Sequence, residues 1–246
     1  MIDRTTRTLA DCTISERLLY SSFLLLVGIG YLMALGYLYL THAGLNGQPG
    51  ISVEDIAISY YGNRSGTRME QMLRGPMGAY SKPLETALIV AWLQDGAPRQ
   101  GYKAVARPIL KEECFRCHSG AMAKSLNIPD FSTYRGVAPV TKVSRGASLL
   151  TLVKLSHIHL FGIGLLAFGV GLIFRLAILN RWLKWGLIVL PFLSVFADIL
   201  AWFLTKWDPL YAWVVVIAGA GLGFALVAQI LISLFELWFL GWPAED

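Results

Sequence analysis

Residues Leu18 to Thr41 read LLYSSFLLLVGIGYLMALGYLYLT, a run without a single charge. At 1.5 Å per residue such a run crosses roughly 30 Å of hydrocarbon as a helix, the element that satisfies its own backbone groups where no water can. Three further stretches share its character. Leu155 to Phe174 carries no acid or base but two histidines, Gly186 to Thr205 carries one acid, and Tyr211 to Phe235 carries none. Four membrane helices follow from this pattern. The composition agrees, with 55% hydrophobic and 15% charged residues in a chain of 246. The first run is about twice the apolar core of a signal peptide and lacks a small-x-small cleavage site, so it is expected to remain as an anchor.

Charge in the short flanks sets the expected orientation. Arg4, Arg7 and Arg17 precede the first run. Arg175, Arg181 and Lys184 surround the turn between the second and third, against Lys206 alone between the third and fourth. Both termini are therefore expected in the cytoplasm. The long segment from about His42 to Lys154 falls on the opposite side, which in a bacterium is the periplasm. Trp182, Trp185, Trp238 and Trp242 are expected at the inner interface, and Trp202, Trp207 and Trp213 at the outer one. The net charge of +5 is not a nucleic-acid signal.

Within the long segment stands Cys114-Phe115-Arg116-Cys117-His118, the attachment signature of a c-type haem. Its two thiols are spaced for the porphyrin vinyl groups, and the next residue offers an imidazole to the iron. The chain has three cysteines, so only Cys12 is left over and no disulfide framework can form. A zinc site needs a second Cys or His pair at similar spacing, and none exists. Around the motif the segment reads as short helices. Ser52-Val53-Glu54-Asp55 resembles a capped start with Gly62 as its stop, and Ser81 and Pro83 open a stretch ending at Gly96. A third helix is expected over Tyr102 to Cys117, interrupted by Pro108. Asn127 to Gly146, rich in Pro, Gly, Ser and Thr, reads as a loop wrapping the haem. No internal repeat, strand alternation, phosphate-binding loop or paired catalytic carboxylates compete with this reading.

The stretch Pro108-Ile109-Leu110-Lys111-Glu112-Glu113-Cys114-Phe115-Arg116-Cys117-His118-Ser119-Gly120 resembles the haem-binding segment of bacterial monohaem c-type cytochromes. That resemblance implies that Cys114 and Cys117 form the thioether attachments and that His118 is the proximal ligand. The chain departs from the soluble class I pattern, in which an axial Met follows the motif at a distance. Here the sole Met between His118 and the next membrane run is Met122, too close to reach the opposite haem face. The segment Ser156-His157-Ile158-His159-Leu160-Phe161-Gly162 is similar to helices of cytochrome-associated bacterial membrane proteins.

The sixth ligand then comes from upstream, from the helix that returns to the membrane, from a partner, or is absent. Met69, Met72 and Met77 are the upstream candidates, each with core packing as the competing role. Met77, between Pro76 and Gly78, leads because a loop approaches a haem more freely than a helix interior does. Met72 is next. Thioether ligation raises the reduction potential over bis-imidazole, so the choice bears on function.

The four histidines fall on the outer side of the expected topology. His157 and His159, two apart on a helix, point about 200° from each other and must serve separate partners. Asp198, roughly 18 Å along the third helix from Gly186, reaches a level similar to that of His159. A membrane acid is costly and faces a partner, a cavity or a proton path. Asp198 and His159 are candidates to accept quinol protons; the competing role is a hydrogen bond between helices or a contact with another subunit. A third option is a b-type haem held by His42 and either His157 or His159. Gly162, Gly164, Gly169, Gly171, Gly219, Gly221 and Gly223 are expected to let helices pack closely, while Gln229 and Glu236 bind a partner or snorkel.

The expected architecture is all-α. A cytoplasmic tail over 1–17 and a transmembrane helix over 18–42 are followed by a periplasmic monohaem cytochrome c domain over 43–150 and a three-helix bundle over 151–246. The expected role is electron transfer through one covalent haem c, as a membrane subunit of a respiratory or related redox complex in the bacterial inner membrane. Electrons would pass from a quinol or a neighbouring cofactor to a periplasmic carrier or oxidase. A single haem offers no site for two-electron chemistry, so a subunit is expected rather than a stand-alone enzyme. The alternative class is a haem-based sensor or assembly factor.

Overall fold

The computed structural model describes residues 7–64 and 66–240. Arg4, Trp242 and Asp246 lie outside the described residues. Every regular element is helical: α1 (Ile14–His42), α2 (Val53–Tyr61), α3 (Arg68–Arg74), α4 (Pro83–Gln94), α5 (Arg99–Gly101), a π-helical turn over Tyr102–Ala106, α6 (Arg107–Glu113), α7 (Gly120–Ser125), α8 (Tyr134–Val137), α9 (Leu149–Phe174), α10 (Arg181–Thr205) and α11 (Ala212–Phe239), with short 3-10 turns between some of them. No strand forms among the described residues, and one isolated antiparallel bridge joins Thr67 to Val143. Four helices, including α1, α9, α10 and the Pro209–Phe239 span that contains α11, are long and apolar enough to cross a membrane. The chain divides into two compact units.

The first unit contains most of α1 together with α9, α10 and α11. α1 begins at Ile14, before the uncharged run, because Thr13 and Glu16 cap it reciprocally. Thr13 N–H donates to the Glu16 carboxylate at 3.0 Å, and Glu16 N–H donates to the Thr13 hydroxyl at 3.4 Å. Arg17 on the first turn is 1% exposed. Its guanidinium donates to the carbonyls of Cys12 at 2.9 Å, Ala10 at 2.8 Å and Leu237. The bond to Leu237 satisfies a carbonyl in the last turn of α11, and the other two satisfy carbonyls of the segment that leads into α1. Glu236 does the corresponding work for a donor: both carboxylate oxygens accept the Ile178 N–H, at 2.9 and 2.8 Å. Gln229, fully buried, donates to Leu187 O at 2.8 Å. Neither Glu236 nor Gln229 snorkels. Both bond inside the bundle, where an unpaired polar group would find no water.

The bundle core joins Leu24, Val27, Val170, Phe174, Leu187, Leu226 and Ile230. Of the seven glycines of α9 and α11 expected to allow close packing, three admit a neighbour: Gly169 takes the Phe23 ring, Gly221 the Ser194 hydroxyl and Gly223 the Tyr31 phenol. Gly162, Gly164 and Gly219 have open space where a side chain would begin, and Gly171 has only the Ile188 side chain at 4.0 Å, so close packing does not account for these four.

The second unit runs from Leu38 to Ser148 and includes Thr205–Leu210. Ser52 and Asp55 form the expected capping box at the start of α2, and Gly62 ends that helix with φ +89°. A side chain at Gly62 would collide with the backbone of Ser144, Arg145 and Gly146, so only glycine allows the two segments to cross there. Lys206 fastens the crossing, its ammonium donating to Tyr60 O at 3.1 Å, Arg145 O at 2.6 Å and Ala147 O at 2.7 Å. Burial, and then the nearby Arg64, hold the Lys206 pKa below the usual lysine value. The core gathers Met69, Leu73, Ile89, Trp92, Tyr102, Ala106, Leu110, Phe131 and Val137.

The third expected helix differs at both ends. It is continuous from Arg99, and it stops at Glu113 rather than reaching Cys117. Pro108 is the second residue of α6, directly after the π-helical turn over Tyr102–Ala106, and the change of helix type there carries the chain past the proline without a break.

Candidate haem-attachment site

The motif forms a tight turn hung on the end of α6. Cys114 N–H closes the helix on Leu110 O at 2.9 Å, and the Cys114 carbonyl then accepts from Cys117 N–H at 3.2 Å and His118 N–H at 2.9 Å. The turn returns the chain so that both cysteines and His118 sit within a few residues of one helix end. Cys114 is half-buried against the core and Cys117 is exposed; both are free thiols. Burial, with the neighbouring Glu113 second, pushes the Cys114 thiol up to about 11, so it is protonated near neutrality.

His118 is held by the loop that the sequence assigned to wrapping the haem. Its Nδ1 lies 2.9 Å from Pro129 O. A carbonyl can only accept, so Nδ1 carries the hydrogen and the Nε2 lone pair remains for a metal. The ring stacks on Phe131, with centroids 4.2 Å apart and planes 5° from parallel. Phe131 is itself fixed from both sides: its N–H donates to His118 O at 2.7 Å, and its carbonyl accepts the buried Tyr102 hydroxyl at 2.8 Å. Asp130 stiffens the same loop by accepting from Ser132 N–H at 2.8 Å, and the Ser132 contacts hold its pKa below the usual carboxylate value.

These residues fit a haem c. The group brings four porphyrin nitrogens, so the protein must supply only two thiols for attachment and one oriented imidazole. The bond from Nδ1 to the Pro129 carbonyl fixes the tautomer and the orientation that a ligating histidine needs. Among the described residues no cluster of three or more His, Cys, Asp or Glu side chains converges on a metal position.

Of the upstream methionines, Met69 is 4% exposed and belongs to the core, which removes it as a ligand in this arrangement. Met72 is half-buried. Met77 is 38% exposed at the start of a 3-10 turn, with its N–H bonded to Met72 O at 2.8 Å. Five residues further on, Lys82 pairs with Glu113 at 3.0 Å, beside Cys114, and with Glu85 at 3.3 Å. The Met77 segment is thereby tied to the motif end of α6. Met122, in α7 directly after the motif, is half-exposed.

The other histidines are each placed by their own helix. His42 Nδ1 is engaged by Leu38 O at 3.0 Å and the Thr41 hydroxyl at 2.8 Å, at the end of its own helix. His157 is exposed on α9, whereas His159 is half-buried and its Nδ1 is bonded to Leu155 O at 2.8 Å. Between His159 and Asp198 stands Trp202, a residue expected in the outer interfacial belt. It is instead 5% exposed, its indole N–H donating to Asp198 at 3.2 Å and its ring meeting His159 edge-on at 5.2 Å. The expected pair is thus a threesome. Trp207 and Trp213 do remain exposed. Trp202 was legible from its place four residues after Asp198, one turn along the same face, whereas Pro129 and Phe131 carried no local signal.

Residues 131–243 are similar to a family of transmembrane helical domains, Aq_1264_TM. The matched stretch lies wholly after Cys114–His118. No curated protein and no solved structure matches the chain. With four apolar helices, the chain is a multi-pass membrane protein in contact with the lipid bilayer.

Proposed function

We propose that the chain is an electron-transfer subunit of a respiratory or related redox complex, carrying one covalent haem c at Cys114, Cys117 and His118. The observation that carries this reading is His118, whose Nδ1–H is committed to Pro129 O at 2.9 Å and whose ring is stacked on Phe131, leaving Nε2 for iron. A haem c, when bound, supplies reversible one-electron chemistry. The chain's own residues do the rest. The two thiols would fix the group, Pro129 and Phe131 orient the imidazole, and Met77 is the side chain offered as a further ligand. The extramembrane unit faces the periplasm of the bacterial inner membrane, with both termini cytoplasmic. A quinol is the proposed donor, and Asp198 with His159 Nε2 are the proton acceptors offered to it, Trp202 holding the carboxylate.

A pyridine haemochrome spectrum of the purified protein, with a test of CO binding, decides between this and a sensor. The expected result is one low-spin c-type haem inert to CO, turning high-spin in Met77→Ala. A CO-reactive haem replaces the carrier by a ligand sensor. A non-covalent b-type spectrum moves the cofactor to the membrane histidines.

A further inference from the structure

From Arg99 to Glu113 the chain is helical without a break, and its two faces differ in kind. Tyr102, Ala106 and Leu110, spaced four apart, are all buried in the core. Arg99, Lys103, Arg107 and Lys111, also spaced four apart, are all exposed. In a regular α-helix a four-residue step overshoots a full turn by about 40°, so three steps would carry Lys111 about 120° round from Arg99. The π-helical turn over Tyr102–Ala106 underwinds the middle of the run and takes back part of that drift. Four cations therefore stand in a line that leads to Cys114.

Like charges four residues apart repel on a helix, so helix stability does not select this spacing. Nor does the unit neutralise it. Among the described residues no carboxylate pairs with any of the four. The acids at the end of the run, Glu112 and Glu113, are drawn instead to Lys82, at 3.6 and 3.0 Å. Arg116 continues the exposed charge past Cys114, next to the exposed Cys117.

We infer that this line is the docking surface for an acidic soluble electron-carrier protein, an inference that rests on the haem reading above. The run from Arg99 to Lys111 is roughly 18 Å long at 1.5 Å per residue, the scale of a protein contact patch rather than of one headgroup. It ends at the attachment turn, so electrostatic attraction brings the carrier where an electron is to be handed over. With the haem bound, one electron would pass per encounter to the oxidised carrier, the haem being oxidised in turn. No bond is made or broken, and the residues of the line bind and orient only.

The test uses full-length, haem-loaded protein in nanodiscs of neutral lipid, mixed by stopped flow with a basic mitochondrial cytochrome c or with its succinylated, acidic derivative. The acidic probe is expected to react roughly tenfold faster at about 10 mM than at about 300 mM salt. The double variant Lys103→Glu, Arg107→Glu loses most of that advantage, while its rate with a small uncharged oxidant stays unchanged. Equal rates in wild type and variant with the acidic probe overturn the surface. So does a wild-type advantage that disappears in nanodiscs of anionic lipid, which assigns the line to headgroups. Absence of covalent haem in the starting protein is read beforehand from the haemochrome spectrum, and overturns the electron-transfer reading together with this one.

Discussion

In the bundle Leu19, Leu26 and Phe161 are 67%, 70% and 78% exposed, and this is their working state because the surroundings are lipid. In the extramembrane unit Ile89, Ala106 and Leu110 are fully buried, and the side chains turned outward are those of Arg99, Lys103, Arg107 and Lys111. The rule for apolar groups reverses between the units, but the rule for backbone carbonyls does not. In each unit a single cation collects three of them: Arg17 in the bundle, and Lys206 in the extramembrane unit. The difference lies in what replaces the cation when it is lost. Water can reach the half-exposed Lys206 crossing, and cannot reach the sealed Arg17 site.

The largest effect tests the chemical half of this contrast. The double variant Cys114→Ala, Cys117→Ala is expected to abolish haem retention on a denaturing gel, because either thioether alone is a covalent bond and only the loss of both thiols leaves none. The bundle should be indifferent to it, with α1, α9, α10 and α11 folding as before by circular dichroism. A polypeptide that still stains fully for haem removes the motif from the argument.

Next in size is Arg17→Ala. Each hydrogen bond from a charged donor is worth about 1.5–3 kcal/mol, so losing three, two of them buried, should cost at least about 4 kcal/mol of stability. Thermal unfolding in detergent measures it. The equivalent change in the other unit, Lys206→Met, should cost less, on the order of 1–2 kcal/mol, since solvent can satisfy part of the exposed crossing. Equal costs in the two variants would break the comparison and show that both sites are equally sealed.

The membrane part was the more legible in sequence, because a span is announced by the absence of charge and needs no knowledge of neighbours. The same rule misled at its edges. The charges of Glu16 and Arg17 put the expected start of α1 at Leu18, yet Thr13-x-x-Glu16 is a capping box and Arg17 hides its charge among carbonyls. Trp202 was placed in the interfacial belt for its position near a helix end, whereas its N–H is spent on Asp198. In the extramembrane unit Ser52, Gly62 and Pro83 marked helix ends because caps are local chemistry. The Cys114–His118 motif was legible for the same reason. Pro129 and Phe131 were not, since their role depends on a loop returning over the ring from outside the motif's own turn.

The smallest effect concerns that loop. Asp130 has its pKa lowered by Ser132, so in the folded state its carboxylate is favoured over the unfolded value of 3.8. A group of this kind contributes stability that is present above the unfolded pKa and lost as pH falls through the lower folded one. Asp130→Asn removes the contribution. Wild type and variant should therefore differ in acid resistance of the His118 environment above about pH 4 and converge at lower pH. The spectrum of the haem-loaded protein, titrated downward from neutrality, reports when His118 leaves its place. Curves that superimpose over the whole range would mean that the Pro129 and Phe131 contacts hold the ring without help from Asp130. Curves that stay apart even in strong acid would assign Asp130 a role independent of its charge, through the turn it forms with Ser132.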